Sequence, residues 1–141
     1  MATLDEWFAR YGEAHRHPVN EAIHWVCVPA ITWSVVALAW WLSPYVALAL
    51  CTLALVFYAY LSVPIALAML VAVALTVASC VHAPDSIGAI AAAVFVVAWI
   101  GQFAGHRIEG RKPAFLDDVK FLLIGPAWVL GFVMRRLHLR H

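Results

Sequence analysis

The stretch WVCVPAITWSVVALAWWLSPYVALALCTLALVFYAYLSVPIALAMLVAVALTVASCVHAP, from Trp25 to Pro84, contains no Asp, Glu, Lys or Arg. A soluble chain of 141 residues cannot hide so long an uncharged run, because too much of a small domain is surface. Bilayer hydrocarbon is the solvent that suits it. The composition agrees: 65% of the chain is apolar and 12% charged, whereas soluble domains average about half and about a quarter. The reading is an all-α polytopic membrane helical bundle, forming one integral-membrane domain over residues 1–141.

Proline punctuation divides the run into spans. Trp25–Leu42 ends at Ser43-Pro44, Tyr45–Leu61 at Ser62-Val63-Pro64, and Pro64–Val81 at His82-Ala83-Pro84; Ile87 to about Ala104 makes a fourth. Each is about 17–20 residues, the length a helix needs to cross hydrocarbon. Trp40, Trp41 and Tyr45 fit an aromatic belt. Before the spans, Leu4, Trp7, Phe8, Tyr11 and His15 recur at helical spacing, which predicts an interfacial helix over residues 2–16. His17-Pro18 ends it, and a second helix is expected from Pro18.

After the fourth span comes a segment of mixed charge, His106 to Lys120, and a fifth, shorter apolar run, Phe121–Met134, interrupted by Gly125-Pro126 and Gly131. The tail is basic, with Arg135, Arg136 and Arg140. Four crossings return the chain to its starting side. A fifth would put the basic tail opposite Arg107, Arg111 and Lys112, against the positive-inside tendency. The fifth run is therefore read as a hairpin, a re-entrant segment or an interfacial helix.

Several classes are excluded. The net charge of +1 and the lack of a basic stripe argue against nucleic acid. Cys27, Cys51 and Cys80 lie in or beside apolar runs and make no disulfide framework. Asp5 and Glu6 precede any apolar run, unlike a cleavable signal peptide.

The polar residues inside this apolar frame are few. Asn20 and His24 share one helical face at the mouth of the first span. Gln102, His106 and Glu109 lie within roughly 60° of one another at the end of the fourth. The bend at His17-Pro18 lets His15 converge on His24, and parity brings His106 to the same membrane face. Three imidazoles near carboxylate and amide groups suit a divalent transition metal, iron(II) or zinc. Asn20, Gln102 or Glu109 would fix the imidazole tautomers; Glu109 is alternatively a direct ligand, leaving positions for oxygen. His17 is a spare ligand candidate. His82 falls on the opposite face, and His138 and His141 belong to a solvated tail. Arg107, Arg111 and Lys112 border the site, either as the positive-inside signal or as a clamp for a carboxylate or phosphate. Gly110 would allow a turn that folds Arg111 back toward the metal.

Two stretches carry a resemblance. Tyr11-Gly-Glu-Ala-His15-Arg-His-Pro18-Val-Asn20-Glu-Ala-Ile23-His24-Trp-Val-Cys-Val-Pro29 and Trp99-Ile-Gly-Gln102-Phe-Ala-Gly105-His106-Arg-Ile-Glu109-Gly-Arg111-Lys-Pro113-Ala114 resemble the signatures of the 2-hydroxy fatty acid dioxygenase family, over nearly the whole chain. The resemblance implies a membrane-embedded enzyme that uses Fe(II), with O2 as co-substrate, to shorten 2-hydroxy fatty acids by one carbon (α-oxidation). It implies His15, His24 and His106 as metal ligands. Glu109 and Arg111 are then expected in catalytic roles, with Asn20, Gln102 and Lys112 on the substrate. The expected partners are the lipid bilayer and a fatty-acyl small molecule, with homo-oligomer formation left open. The chain's shortness suggests a bacterial inner membrane, with the metal at the cytoplasmic face. The competing classes are a non-catalytic membrane metal- or lipid-binding or transport protein, and a zinc-dependent lipid hydrolase.

Overall fold

A computed structural model describes residues 2–140, and the regular structure among them is entirely helical. In chain order the α-helices are α1 (Leu4–Glu13), α2 (Pro18–Leu42), α3 (Pro44–Leu61), α4 (Val63–Val81), α5 (Ile87–Glu109) and α6 (Phe121–Arg136), with a 3-10 turn at Ala114–Leu116. Four of them, α2 to α5, are long and apolar enough to cross a membrane. Their outward faces carry Val26, Leu53, Leu75 and Val97, each about 70% exposed (71, 68, 68 and 68%), a surface suited to lipid rather than water.

Single residues join α2 to α3 and α3 to α4. Ser43 and Ser62 are both extended (φ −167° and −165°). Pro44 forces this on Ser43, because proline clashes with a helical residue before it. At Ser62 the hydroxyl accepts from the Ile65 N–H and restarts the chain as α4. α2 begins at Pro18, as expected, but α5 continues past Ala104 to Glu109. That extension puts Gln102, His106 and Glu109 on one continuous helix.

α2 and α5 form the most extensive helix pair. Their contact is a glycine seam. A Cβ on Gly101 would lie 2.7 Å from the Cys27 Sγ, and one on Gly105 would run into the Asn20 side chain. Small residues four apart let two helix backbones approach closely inside a bilayer.

The N-terminal helix is shorter than the expected 2–16, and a Thr3–Glu6 capping box starts it. Its apolar stripe of Leu4, Trp7, Phe8 and Tyr11 is buried. The cover is α6, which runs past it in the opposite sense: Phe8 packs on Gly131 and Tyr11 on Gly125. The fifth apolar run is therefore one uninterrupted helix, not a hairpin. Pro126 forfeits one backbone hydrogen bond without ending α6. The Tyr58 hydroxyl donates to the Leu123 carbonyl and pins the first turn of α6 to α3. At the far end of the bundle, His82 caps α4. His138 lies in the exposed tail, and His141 is outside the described residues.

Candidate metal centre

Four residues, 14–17, join α1 to α2, and the site is built around them. The Glu109 carboxylate holds this link. It accepts from the backbone N–H of Arg16 (3.2 Å) and His17 (2.7 Å) and from the Asn20 amide (3.2 Å). The same amide donates to the Ala14 carbonyl at 3.1 Å. An acidic side chain at a helix N-terminus is favourable in itself. Here it also ties the end of α5 to the start of α2 and fixes the bend that the sequence required.

With the bend fixed, His15, His24 and His106 converge. Each offers one nitrogen, and the three nitrogens lie within 4.8 Å of one another. All three residues are buried, with 4, 0 and 4% of their surface exposed. The His15 Nδ1–H donates to the Tyr11 carbonyl at 2.6 Å, and the His24 Nδ1–H to the Asn20 carbonyl at 2.9 Å. Each partner is the residue one helical turn earlier. A neutral imidazole with its proton on Nδ1 presents a bare Nε2 lone pair. The His24 Nε2 faces the His106 Nε2 at 3.1 Å. The His15 Nε2 and the His106 Nδ1 are buried without a hydrogen-bond partner.

These atoms fit a metal. A buried nitrogen with no partner is costly, and a cation would satisfy several at once. Metal–imidazole bonds of about 2.1 Å set a cage of about this size. Backbone carbonyls on the far nitrogens are the usual means of orienting histidine ligands.

Burial pulls the His15 imidazole down to about 3, with its like-charged neighbours His24 and His106 adding to the effect. It is therefore neutral and ligand-ready at any physiological pH. The unfolded chain takes up this proton near pH 6.5 and the folded protein does not, so folding stability falls as pH drops from about 6.5 to about 3, by up to about 1.4 kcal/mol per pH unit. Thermal unfolding in detergent at pH 7, 5.5 and 4 is expected to show this loss. The His15→Phe variant should lose less over the same range.

The chamber beside the imidazoles is small, about 40 Å³, and is lined by Tyr11, Trp99, Gln102 and Phe121 among others. Tyr11 stacks on His15 with ring centroids 4.2 Å apart, and Trp128 stands 5.7 Å from His15. The Trp99 Nε1–H is buried and unpartnered.

The other residues singled out from sequence take distinct places. Gln102 lines the chamber. Asn20 and Glu109 stand behind the imidazoles and brace the α1–α2 link. Gly110 makes the expected turn, with φ 73°. Even so, Arg111 and Lys112 line a separate basin with Arg10 and Glu13, which adjoins the chamber across Ala114 and Phe121. Lys112 is paired there with Asp117. His17 caps α2 through its Nδ1, which accepts from the Val19 N–H at 3.2 Å, and it is not among the clustered imidazoles. Sequence reasoning passed over Tyr11 and Trp99 as chamber walls. Tyr11 and Trp99 open the two motifs, and that position was the available signal.

The two possible roles of Glu109 separate by substitution. As a brace, Glu109→Gln should keep one metal ion per chain, with a lower Tm and an affinity weakened by roughly 10- to 100-fold. A direct ligand would instead lose the ion outright. Metal analysis with thermal unfolding reads both.

Comparison with known proteins returns a family model described as "Mpo1-like: 2-hydroxy-palmitic acid dioxygenase Mpo1-like", matched over residues 1–137. The chain is also 30% identical over 135 residues to 2-hydroxy-palmitic acid dioxygenase MPO1 of Saccharomyces cerevisiae, covering 86% of this chain and 78% of that protein. No solved structure matches.

Proposed function

The chain belongs to the Mpo1-like family, and from that membership and the imidazole cluster we propose a membrane-embedded, iron(II)-dependent dioxygenase that removes C1 from 2-hydroxy fatty acids. In the balanced reaction, the 2-hydroxy acid and one O2 give the acid one carbon shorter, carbon dioxide and water. The C1–C2 bond breaks, C2 rises from the alcohol to the carboxyl level, and O2 takes the four electrons. The observation that carries this reading is the convergence of three buried imidazole nitrogens drawn from three separate segments.

His15, His24 and His106 would hold the ion. Iron(II) would supply the one-electron chemistry that a closed-shell acid needs to react with oxygen. The protein's part is preparation. The Tyr11 and Asn20 carbonyls hold two imidazoles in the metal-binding tautomer. Gln102 and the Trp99 N–H line the chamber as donors for the substrate's oxygens. Arg111 and Arg10, in the adjoining basin where Glu13 and the Lys112–Asp117 pair also stand, would draw the carboxylate to the chamber's edge. The aromatic walls limit water around the reacting carbons.

All nine Lys and Arg residues lie at positions 10–16 or 107–140. With an even number of crossings these share one face, which the positive-inside tendency assigns to the cytoplasm. We place the metal there, in the inner membrane of a bacterial cell.

The test is anaerobic loading with iron(II), then oxygen and 2-hydroxypalmitate, with mass spectrometry of the lipid. Oxygen-dependent appearance of the fifteen-carbon acid is expected. No substrate loss from fully loaded protein would end the proposal. Turnover with zinc in the absence of oxygen would instead favour a hydrolase.

A further inference from the structure

Resting on the dioxygenase reading, we propose that the substrate's acyl tail leaves the imidazole chamber between α2 and α6 and lies in the cleft that these helices form with α4. This cleft has a volume of about 290 Å³, near the lower end of the roughly 300–1,000 Å³ usual for small-molecule sites; the chamber beside it holds about 40 Å³. Thr32 and Pro126 line both voids. Chamber and cleft therefore adjoin at those two residues, which would form the neck of the passage.

The passage is apolar where an acyl chain would need it to be. α2 contributes Pro29 and Trp33, α4 Met69 and Ala72, and α6 Val129 and Leu130. Its two threonines turn their hydroxyls away. The Thr32 Oγ1–H donates to the Val28 carbonyl and the Thr76 Oγ1–H to the Ala72 carbonyl, both at 2.9 Å, so no unpaired hydroxyl faces the cleft. Trp33 is held in place by donation from its Nε1 to the Ser79 Oγ at 3.0 Å. From His24 to Trp33 is nine residues along α2, or about 13 Å of helix. Trp33 thus stands well down the bilayer from the imidazoles, as a floor that would limit chain length.

A larger groove, about 940 Å³, runs along the outside of α2 and α5 past Cys27, Ala93 and Gly101. It shares no lining residue with the chamber. The glycine seam separates them: Gly101 is packed on Cys27 and Gly105 on Asn20. A chain lying in that groove could not reach the imidazoles unless α2 and α5 parted.

Two measurements test the route. In the first, iron-loaded protein in nanodiscs is assayed with 2-hydroxy acids of sixteen and ten carbons. Ala72→Phe should lower the kcat/KM ratio of long over short substrate by about tenfold or more, with metal content unchanged, while Ala93→Phe in the outer groove leaves the ratio as in wild type. The reverse pattern would overturn the route. In the second, a 2-hydroxy acyl probe with a terminal diazirine is photolysed anaerobically on loaded wild-type protein, so neither folding of a variant nor turnover is needed. Adducts on α4 and α6, competed by 2-hydroxypalmitate, are expected. Adducts on α5, or adducts that competitor does not reduce, would refute the passage. A wild-type protein that consumes no 2-hydroxy acid of either length, yet labels on α4 and α6, would fail the dioxygenase reading and leave the lipid passage standing.

Discussion

Replacing His24 with alanine is expected to reduce bound metal from about one ion per chain to a small fraction, and to abolish oxygen-dependent turnover. His24 is fully buried, with its Nδ1 proton on the Asn20 carbonyl and its Nε2 aimed at His106. No other titratable side chain stands ready to replace it: His17 caps α2 through its Nδ1, and Glu109 is engaged by three donors. Disturbing a group behind a metal ligand already weakens affinity by roughly 10- to 100-fold, so removing a ligand should exceed that. His106→Ala should behave alike, because its Nε2 faces the same point from the opposite helix. His17→Ala should keep its metal and lose only a helix cap, worth about 1 kcal/mol. Metal analysis of gently purified variants, with circular dichroism to confirm helix content, separates ligand loss from unfolding. Full metal in both His24→Ala and His106→Ala would show that the ion, if any, binds elsewhere.

The second large effect is expected from a single methyl group. A Cβ on Gly105 would run into the Asn20 side-chain oxygen, where there is no room for it. Asn20 cannot yield freely, since it is fully buried and its amide is held by the Ala14 carbonyl and by Glu109. Gly105→Ala must therefore push α2 and α5 apart or break the amide's bonds. Overpacking of this kind costs about 1–3 kcal/mol. More tellingly, it moves His24 relative to His106, the next residue along α5. Metal affinity should fall with stability. Asn20→Ser combined with Gly105→Ala should recover part of the loss, since the two residues are in contact and their effects need not add. Gly110→Ala is the contrast. It strains a positive φ at the end of α5 but meets no neighbouring atom, so it should cost about 1 kcal/mol without loosening the metal. Tm and metal affinity across these variants decide the matter; equal behaviour of Gly105→Ala and Gly110→Ala would show that the seam does not set the site.

Much of this site was legible from residue order. The uncharged run from Trp25 to Pro84 gave the helical membrane class, and parity set His15, His24 and His106 on one face. The Pro18 break was readable because proline's backbone restriction is local. Residue order does not tell that Cys27 and Asn20 pack on Gly101 and Gly105. Glu109 was harder. Its spacing with His106 suggested a ligand or tautomer-fixing role, whereas its oxygens reach backbone N–H groups of residues more than ninety positions earlier. Backbone donors are the same in every residue type, so no side-chain pattern reveals which of them a distant carboxylate will find. The fifth apolar run was ambiguous for a related reason. Gly125-Pro126 permits a break, and only the packing of Phe8 and Tyr11 on α6 decides that the helix continues.

The sequence by itself determined which segments seek apolar solvent, where proline divides them, and that His15, His24 and His106 belong to one end of the bundle. Those properties follow from composition and backbone sterics within a few residues. Tertiary structure alone decided which imidazole nitrogens meet, which glycine admits which neighbour, and which void leads from the chamber into the bundle. Each of those is a matter of ångströms between helices remote in the chain, and such distances are set by the packing of the whole bundle rather than by any one segment of it.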